Sequence, residues 1–70
     1  MMPLTMAGVG EKHSIRKVTG QDQVRQHLAE LGFVAGTEVT VISKIGGNLI
    51  LAVKASRIGL DQTLANRIMI

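Results

Sequence analysis

The chain has no cysteine, tryptophan or tyrosine, a single phenylalanine (Phe33) and a single proline (Pro3) in 70 residues. Without cysteine there is neither a disulfide framework nor a thiolate metal site, so a domain this small must be held by apolar burial alone. With one aromatic ring it cannot pave a groove for proline-rich peptides, nor offer a row of rings on which unpaired nucleic-acid bases stack. Long hydrophobic runs are also missing: the longest, residues 49–53, falls far short of the ~20 that cross a bilayer. Residues 1–10 carry no charged side chain, which leaves out the basic start of a secretory leader, and the expected location is the cytoplasm, without membrane insertion.

The raw material for catalysis is equally sparse. Two histidines and five carboxylates are the only acid–base candidates near neutral pH, and none of Ser14, Ser43 or Ser56 lies in a nucleophile-elbow context. Gly8-Val9-Gly10 is a fragment of a glycine-rich loop, but the lysine and hydroxyl of a phosphate-binding loop do not follow it. The chain therefore reads as a binding module with no cofactor of its own, not as an enzyme.

What is present is apolar aliphatic residue, at 46% of the chain counting Phe33, and a modest positive charge of +3. The eight basic residues, Lys12, Arg16, Lys17, Arg25, Lys44, Lys54, Arg57 and Arg67, are spread along the sequence, a pattern of solvated surface and not of a nucleic-acid footprint. Residues 11–18 read as one short strand with Ile15 and Val18 as its apolar points. Val24, Leu28 and Leu31 then recur at i, i+4 and i+7, which predicts an amphipathic helix over 21–31 with Asp22 in its first turn and Gly32 as a left-handed cap. After an elbow at Phe33-Val34-Ala35-Gly36, residues 37–45 are rich in β-branched side chains, and Val39, Val41 and Ile45 are expected to share a face. Gly46-Gly47 predicts a tight hairpin into a strand in which Leu49, Leu51 and Val53 alternate with Ile50, Ala52 and Lys54. A strand at 57–60, a capped helical turn at 61–66 and a closing strand at 67–70 with Ile68 and Ile70 inward complete the chain. Pro3, Leu4 and Met6 give the N-terminal arm enough apolar surface to pack across the rest. The expectation is one domain over residues 1–70, mainly β, a small barrel of about five strands with one inserted helix and a short C-terminal helical turn, because closure removes exposed edges.

His27 and Glu30 stand at i and i+3 on the helix and are the weak candidates for metal ligation, with His13 on the first strand as the only other imidazole. Two donors do not close a site, so a divalent ion is expected to bind only adventitiously, for example between two copies of the chain.

The order of these signals resembles the FeoA family, the cytosolic A component of bacterial ferrous iron transport. Leu28-Ala29-Glu30-Leu31-Gly32-Phe33-Val34-Ala35-Gly36-Thr37 is similar to that family's R-L-x-x-L-G-ϕ-x-P-G-x helix and elbow. Pro3-Leu4-Thr5, the Gly46-Gly47 hairpin, Ile58-Gly59-Leu60, and Ala65 with Ile68 and Ile70 match the family's remaining landmarks in order. Gln26-His27 stands where an arginine often precedes the leucine, and Ala35 replaces the common proline. The resemblance implies an SH3-like barrel that binds the cytosolic GTP-binding part of the FeoB transporter and so sits peripherally at the inner membrane. The partner surface it implies is the helix and elbow: Arg25, Glu30 and Val34 exposed, with Leu28 and Phe33 shaping it from beneath. The alternative is a metal-responsive or nucleic-acid-associated barrel, like the SH3-like domain that follows the DNA-binding domain of some iron-dependent repressors.

Overall fold

The computed structural model describes residues 1–70. The chain runs through a 3-10 turn (Leu4–Met6), β1 (Lys12–Ser14), β2 (Lys17–Val18), α1 (Asp22–Glu30), β3 (Glu38–Ile45), β4 (Asn48–Val53), β5 (Ser56–Asp61), α2 (Gln62–Ala65) and β6 (Ile68–Met69). Four strands form an antiparallel sheet in the order β1-β3-β4-β5, and β2 pairs with β6 in a second, smaller sheet. The N-terminal arm extends the second sheet: Met2 and Ile70 exchange backbone N–H···O=C bonds of 2.9 and 2.8 Å, and Pro3 bridges to Met69.

The hairpin between β3 and β4 follows from its glycines. Gly46 and Gly47 take φ of +54° and +89°, the pair of positive values that a type I′ turn needs and that matches the twist of the strands on either side. At the far end, Asp61 caps α2 by accepting a hydrogen bond from the Leu64 N–H at 2.8 Å, one of the free donors every helix start must satisfy.

The first strand is not continuous. At Ile15 and Arg16 the chain leaves the β1 ladder, where the Ile15 N–H donates to Thr37 C=O (2.9 Å), and joins the second sheet, where the Arg16 N–H donates to Met69 C=O (2.8 Å). Ile15 itself is buried at the crossing point. One strand serving two sheets is therefore split in two, and the structure has six strands in place of about five.

β3 departs from the expected alternation in its second half. Val39 and Val41 are fully buried, but Ile45 is 66% exposed. The pairing with β4 runs Val41 to Leu51 and then Ser43 to Ile50, so Ile42 is an extra residue in the ladder. Beyond such a bulge every side chain changes face. Lys44 now stands opposite the buried Leu49 and donates through Nζ to Thr5 C=O at 3.1 Å, while Ile45 is turned to solvent. In the arm, Leu4 and Ala7 are buried as its packing requires, yet Met6 is 68% exposed, because the single 3-10 turn puts Leu4 inward and Met6 outward.

The core is a single cluster of 14 residues drawn from every part of the chain, including Leu4, Ile15, Leu28, Phe33, Val39, Leu51 and Ile68. No buried side-chain nitrogen or oxygen is left without a partner. Leu28, the only fully buried residue of α1, is what holds the helix to the sheets. Leu28→Asn should lower stability by about 4 kcal/mol or leave the chain unfolded, by losing apolar burial and sealing an amide among aliphatic groups. Urea unfolding followed by circular dichroism measures this. A variant that stays as stable as the parent would put Leu28 outside the core.

Candidate functional site

The surface that carries the most varied chemistry begins on α1. Its apolar positions, Val24 and Leu31 half-buried and Leu28 fully so, turn Arg25, Gln26, His27 and Glu30 to solvent. Asp22 in the first turn forms an ion pair with the Arg25 guanidinium one turn on, both side chains remaining largely exposed. Asp22 also lies in the first turn, where a negative charge favours the helix start, so it serves both Arg25 and the helix.

The helix ends in a Schellman motif. Gly32 takes φ of +105°, its N–H donates to Ala29 C=O (2.9 Å), and the Phe33 N–H reaches back to Leu28 C=O (2.9 Å). Those bonds satisfy carbonyls that the helix would otherwise leave free, and they bring the fully buried Phe33 to the same core as Leu28. A methyl group on Gly32 would meet only ordinary contacts, the Val53 and Lys54 side chains at 3.7 to 3.9 Å, so backbone conformation and not space requires glycine here.

The elbow that follows is clipped to the barrel. The Gly36 N–H donates to Ile15 C=O (2.7 Å), the Ile15 N–H to Thr37 C=O (2.9 Å), and the Thr37 N–H closes back on Val34 C=O (3.1 Å). Val34 is thereby presented at 38% exposure on a fixed loop. Ala35, where the related pattern carries proline, is exposed and its loop is held by these bonds instead.

Thr37 leads from the elbow onto the outer face of the larger sheet. There Lys12, Thr37, Glu38, Thr40, Ala52 and Lys54 line a shallow cleft of about 360 Å³. The register places Lys12 beside Thr40 and Thr40 beside Ala52, so the small alanine leaves the floor low while two ammonium groups stand at the sides. Neither Lys12, Lys54 nor Glu38 is engaged in an ion pair within the chain. Lys54 also holds φ of +54°, the only non-glycine residue in the left-handed region, in the two-residue turn between Val53 and Ser56. Hydroxyls, ammonium groups and one carboxylate in an open cleft suit recognition of polar or acidic protein surface; they form no nucleophile–base pair.

Of the residues singled out from sequence, Arg25, Glu30 and Val34 are exposed on this surface, whereas Leu28 and Phe33 are wholly buried and act on it only through the backbone they anchor. His27 and Glu30 are exposed, and no third histidine or carboxylate joins them: the chain holds no group of three such residues placed to bind a metal ion. His13 is occupied elsewhere, its Nε2 lying 2.9 Å from Glu11 Oε1. That hydrogen bond, with one from the Gly8 backbone, holds the Glu11 carboxyl below its ordinary pKa. The cleft residues Lys12, Thr37, Thr40 and Lys54 were not foreseen, since their meeting depends on strand register and on a turn without glycine or asparagine at its left-handed position.

The sequence profile of the FeoA domain matches residues 2–70. The chain belongs to the FeoA family. A protein of Methanocaldococcus jannaschii named as an Fe(2+) transport protein A is 31% identical over 70 residues, which span all of this chain and 85% of that protein. The structure superposes on FeoA of Stenotrophomonas maltophilia in complex with zinc, described as an SH3 domain protein, with a TM-score of 0.85 at 29% identity over 99% of this chain and 88% of that one. A crystal structure of an iron uptake regulatory protein (FeoA) gives 0.88 at 28% identity over 96% and 89%. The barrel is thus the SH3-like fold of FeoA structures. A manganese-dependent transcriptional repressor, at 16% identity and a TM-score of 0.86, shares the fold over 38% of its length. No helix is long and apolar enough to cross a membrane.

The Glu11–His13 pair sets a pH dependence. A carboxyl whose folded pKa lies below its unfolded value contributes stability that is complete above the unfolded pKa and is lost as pH falls through the folded one. Thermal melts between pH 7 and pH 3 should show a shallower acid loss for Glu11→Gln than for the parent. The effect is small because the pair is exposed, and identical acid limbs would remove Glu11 from the account.

Proposed function

We propose that this FeoA domain is a cytosolic accessory protein of prokaryotic ferrous iron uptake, not an enzyme, that binds the cytosolic GTP-binding part of a FeoB-type transporter through α1, the elbow and the adjoining cleft. The observation that carries this reading is the clipped elbow: Val34 is exposed on a loop whose backbone is bonded to the end of α1 before it, through Phe33 to Leu28, and to Ile15 between the two sheets after it, through Gly36 and Thr37. A fixed apolar anchor at the end of a helix that exposes Arg25 and Glu30, with the unpaired Lys54 reaching the Gly32 turn before it, is the composition of a protein-docking surface, because little ordering entropy is lost when it binds. Family membership supports the choice of pathway, as does the Fe(2+) transport name of the Methanocaldococcus jannaschii relative. The Stenotrophomonas maltophilia protein is itself described in connection with activation of ferrous iron transport. Iron on this reading is the transporter's cargo. A divalent ion meets the chain itself only adventitiously, with His27 and Glu30 offering two donors and a second molecule the rest.

Binding to nucleic acid draws no comparable support, because the cationic residues are dispersed and the cleft that holds two of them also holds Glu38. The chain, fluorescently labelled, should be titrated with the purified cytosolic domain of the cognate transporter, with and without a GTP analogue, and with a short DNA duplex. Saturable binding to the transporter domain is expected, weakened roughly tenfold or more by Val34→Asp and by Lys54→Glu while the fold stays intact. Binding to DNA alone, or transporter binding untouched by both substitutions, would overturn the assignment of this surface.

A further inference from the structure

The two edges of the larger sheet are unequal. β1 is three residues long and begins with a lysine, which are two of the devices that keep an edge from pairing with another chain. β5 is six residues, Ser56-Arg57-Ile58-Gly59-Leu60-Asp61, with no lysine, no proline and no bulge in its register against β4. Its outer side has no neighbour in either sheet. An edge this long and regular is a template for a further strand.

The order of residues along β5 says which strand fits. β4 and β5 join through a two-residue turn with Val53 opposite Ser56, and in such a hairpin the closing pair is hydrogen-bonded within the ladder. Alternation then leaves Arg57, Gly59 and Asp61 with N–H and C=O groups pointing away from β4. All three are exposed, as is required of residues offered at a free edge. Centred on Gly59, the strand reads Arg, Ile, Gly, Leu, Asp. Run antiparallel against itself about that point, it sets Arg57 opposite Asp61 of a second copy, Ile58 opposite Leu60, and Gly59 opposite Gly59. Faces match at every position, the outward backbone groups pair with one another, and two opposite charges meet at each end. Arg57 has no ion-pair partner within its own chain. Asp61 uses only Oδ1 to cap α2, which leaves its other oxygen for a guanidinium.

We propose that β5 is a self-association strand: two copies of this chain pair β5 to β5 antiparallel about Gly59, joining their larger sheets into one continuous sheet. The cleft on the sheet face stays open in such a dimer, since pairing uses the edge. This inference is independent of the transporter-binding reading, and it is tested on the chain alone.

Because the protein has no cysteine, a single introduced one reports the contact. In a hydrogen-bonded antiparallel pair the two Cα atoms lie about 5.5 Å apart, within the span a disulfide bridges. A Cβ at Gly59 would meet only the tip of Ile50, at 3.4 Å. Gly59→Cys should therefore form a covalent dimer under mild oxidation much faster than Thr63→Cys, which is exposed but off the edge. Sedimentation equilibrium of the parent should show a concentration-dependent dimer. Arg57→Asp should weaken it by roughly tenfold or more, since both end pairs become repulsive, and an equimolar mixture of Arg57→Asp with Asp61→Arg should restore it. Circular dichroism confirms that each variant is folded. A parent monomeric at every concentration, with Gly59→Cys cross-linking no faster than Thr63→Cys, would overturn the proposal. So would a dimer indifferent to Arg57→Asp, or a β5 edge whose amides become protected only when the transporter domain is added.

Discussion

Gly32 holds the one backbone conformation on which the helix, the elbow and the surface between them all depend. Its positive φ lets the chain reverse at the end of α1, so that the Phe33 N–H can close on Leu28 C=O and the Phe33 ring can enter the core beside the leucine. In a domain with one aromatic residue and no cysteine, that ring is the largest fully buried side chain available, and losing its placement would remove a large share of the apolar burial that stabilises so small a fold. The same reversal sends the elbow past β1, where Gly36 and Thr37 take hold of Ile15 from both sides. Ile15 in turn is the point at which one strand passes between the two sheets. Helix end, elbow and sheet crossing are thus one bonded unit, and Val34 is exposed on it without being loose.

The outer face of the larger sheet carries two separate features on this frame. Lys12, Thr40, Ala52 and Arg57 stand in one row across all four strands. At the β1 side the row opens into the cleft next to the elbow; at the β5 side it ends on an unpaired edge. A face recognises side chains, whereas an edge recognises backbone. One small sheet therefore has room for the proposed transporter contact on its face and for the proposed second copy along its edge without competition between them. Surface charge is arranged accordingly: the internal ion pairs, Asp22 with Arg25 and Glu11 with His13, lie outside the larger sheet's row, and the cations within it are free.

Much of this was legible in the residues. The spacing of Val24, Leu28 and Leu31 with Gly32 after them gave the helix to within one residue at each end, the two glycines gave the hairpin, and Asp61 gave the cap of α2. In each case a local requirement has few chemical solutions. The failures have the opposite character. The bulge at Ile42 needs no special residue, so Ile45 was assigned inward by an alternation that the ladder interrupts. The break at Ile15 is set by partners more than twenty and fifty residues away, Thr37 and Met69, and nothing in a continuous strand pattern marks it. Arg25 and Glu30 could be placed on the solvent side of the helix from its periodicity, and Val34 on the elbow only through the family resemblance, but the cleft could not be placed at all, because Lys12 and Lys54 meet only through register.

The central claim is that the helix end and elbow belong to the same cooperative unit as the barrel, and native-state hydrogen exchange of individual amides tests it most directly. The account predicts that the Gly32, Phe33 and Gly36 amides exchange as slowly as those of β3 and β4, through global unfolding only. Exchange of these amides at the rate of an open loop, while the β3 and β4 amides remain protected, would show that the elbow moves independently and would contradict the account.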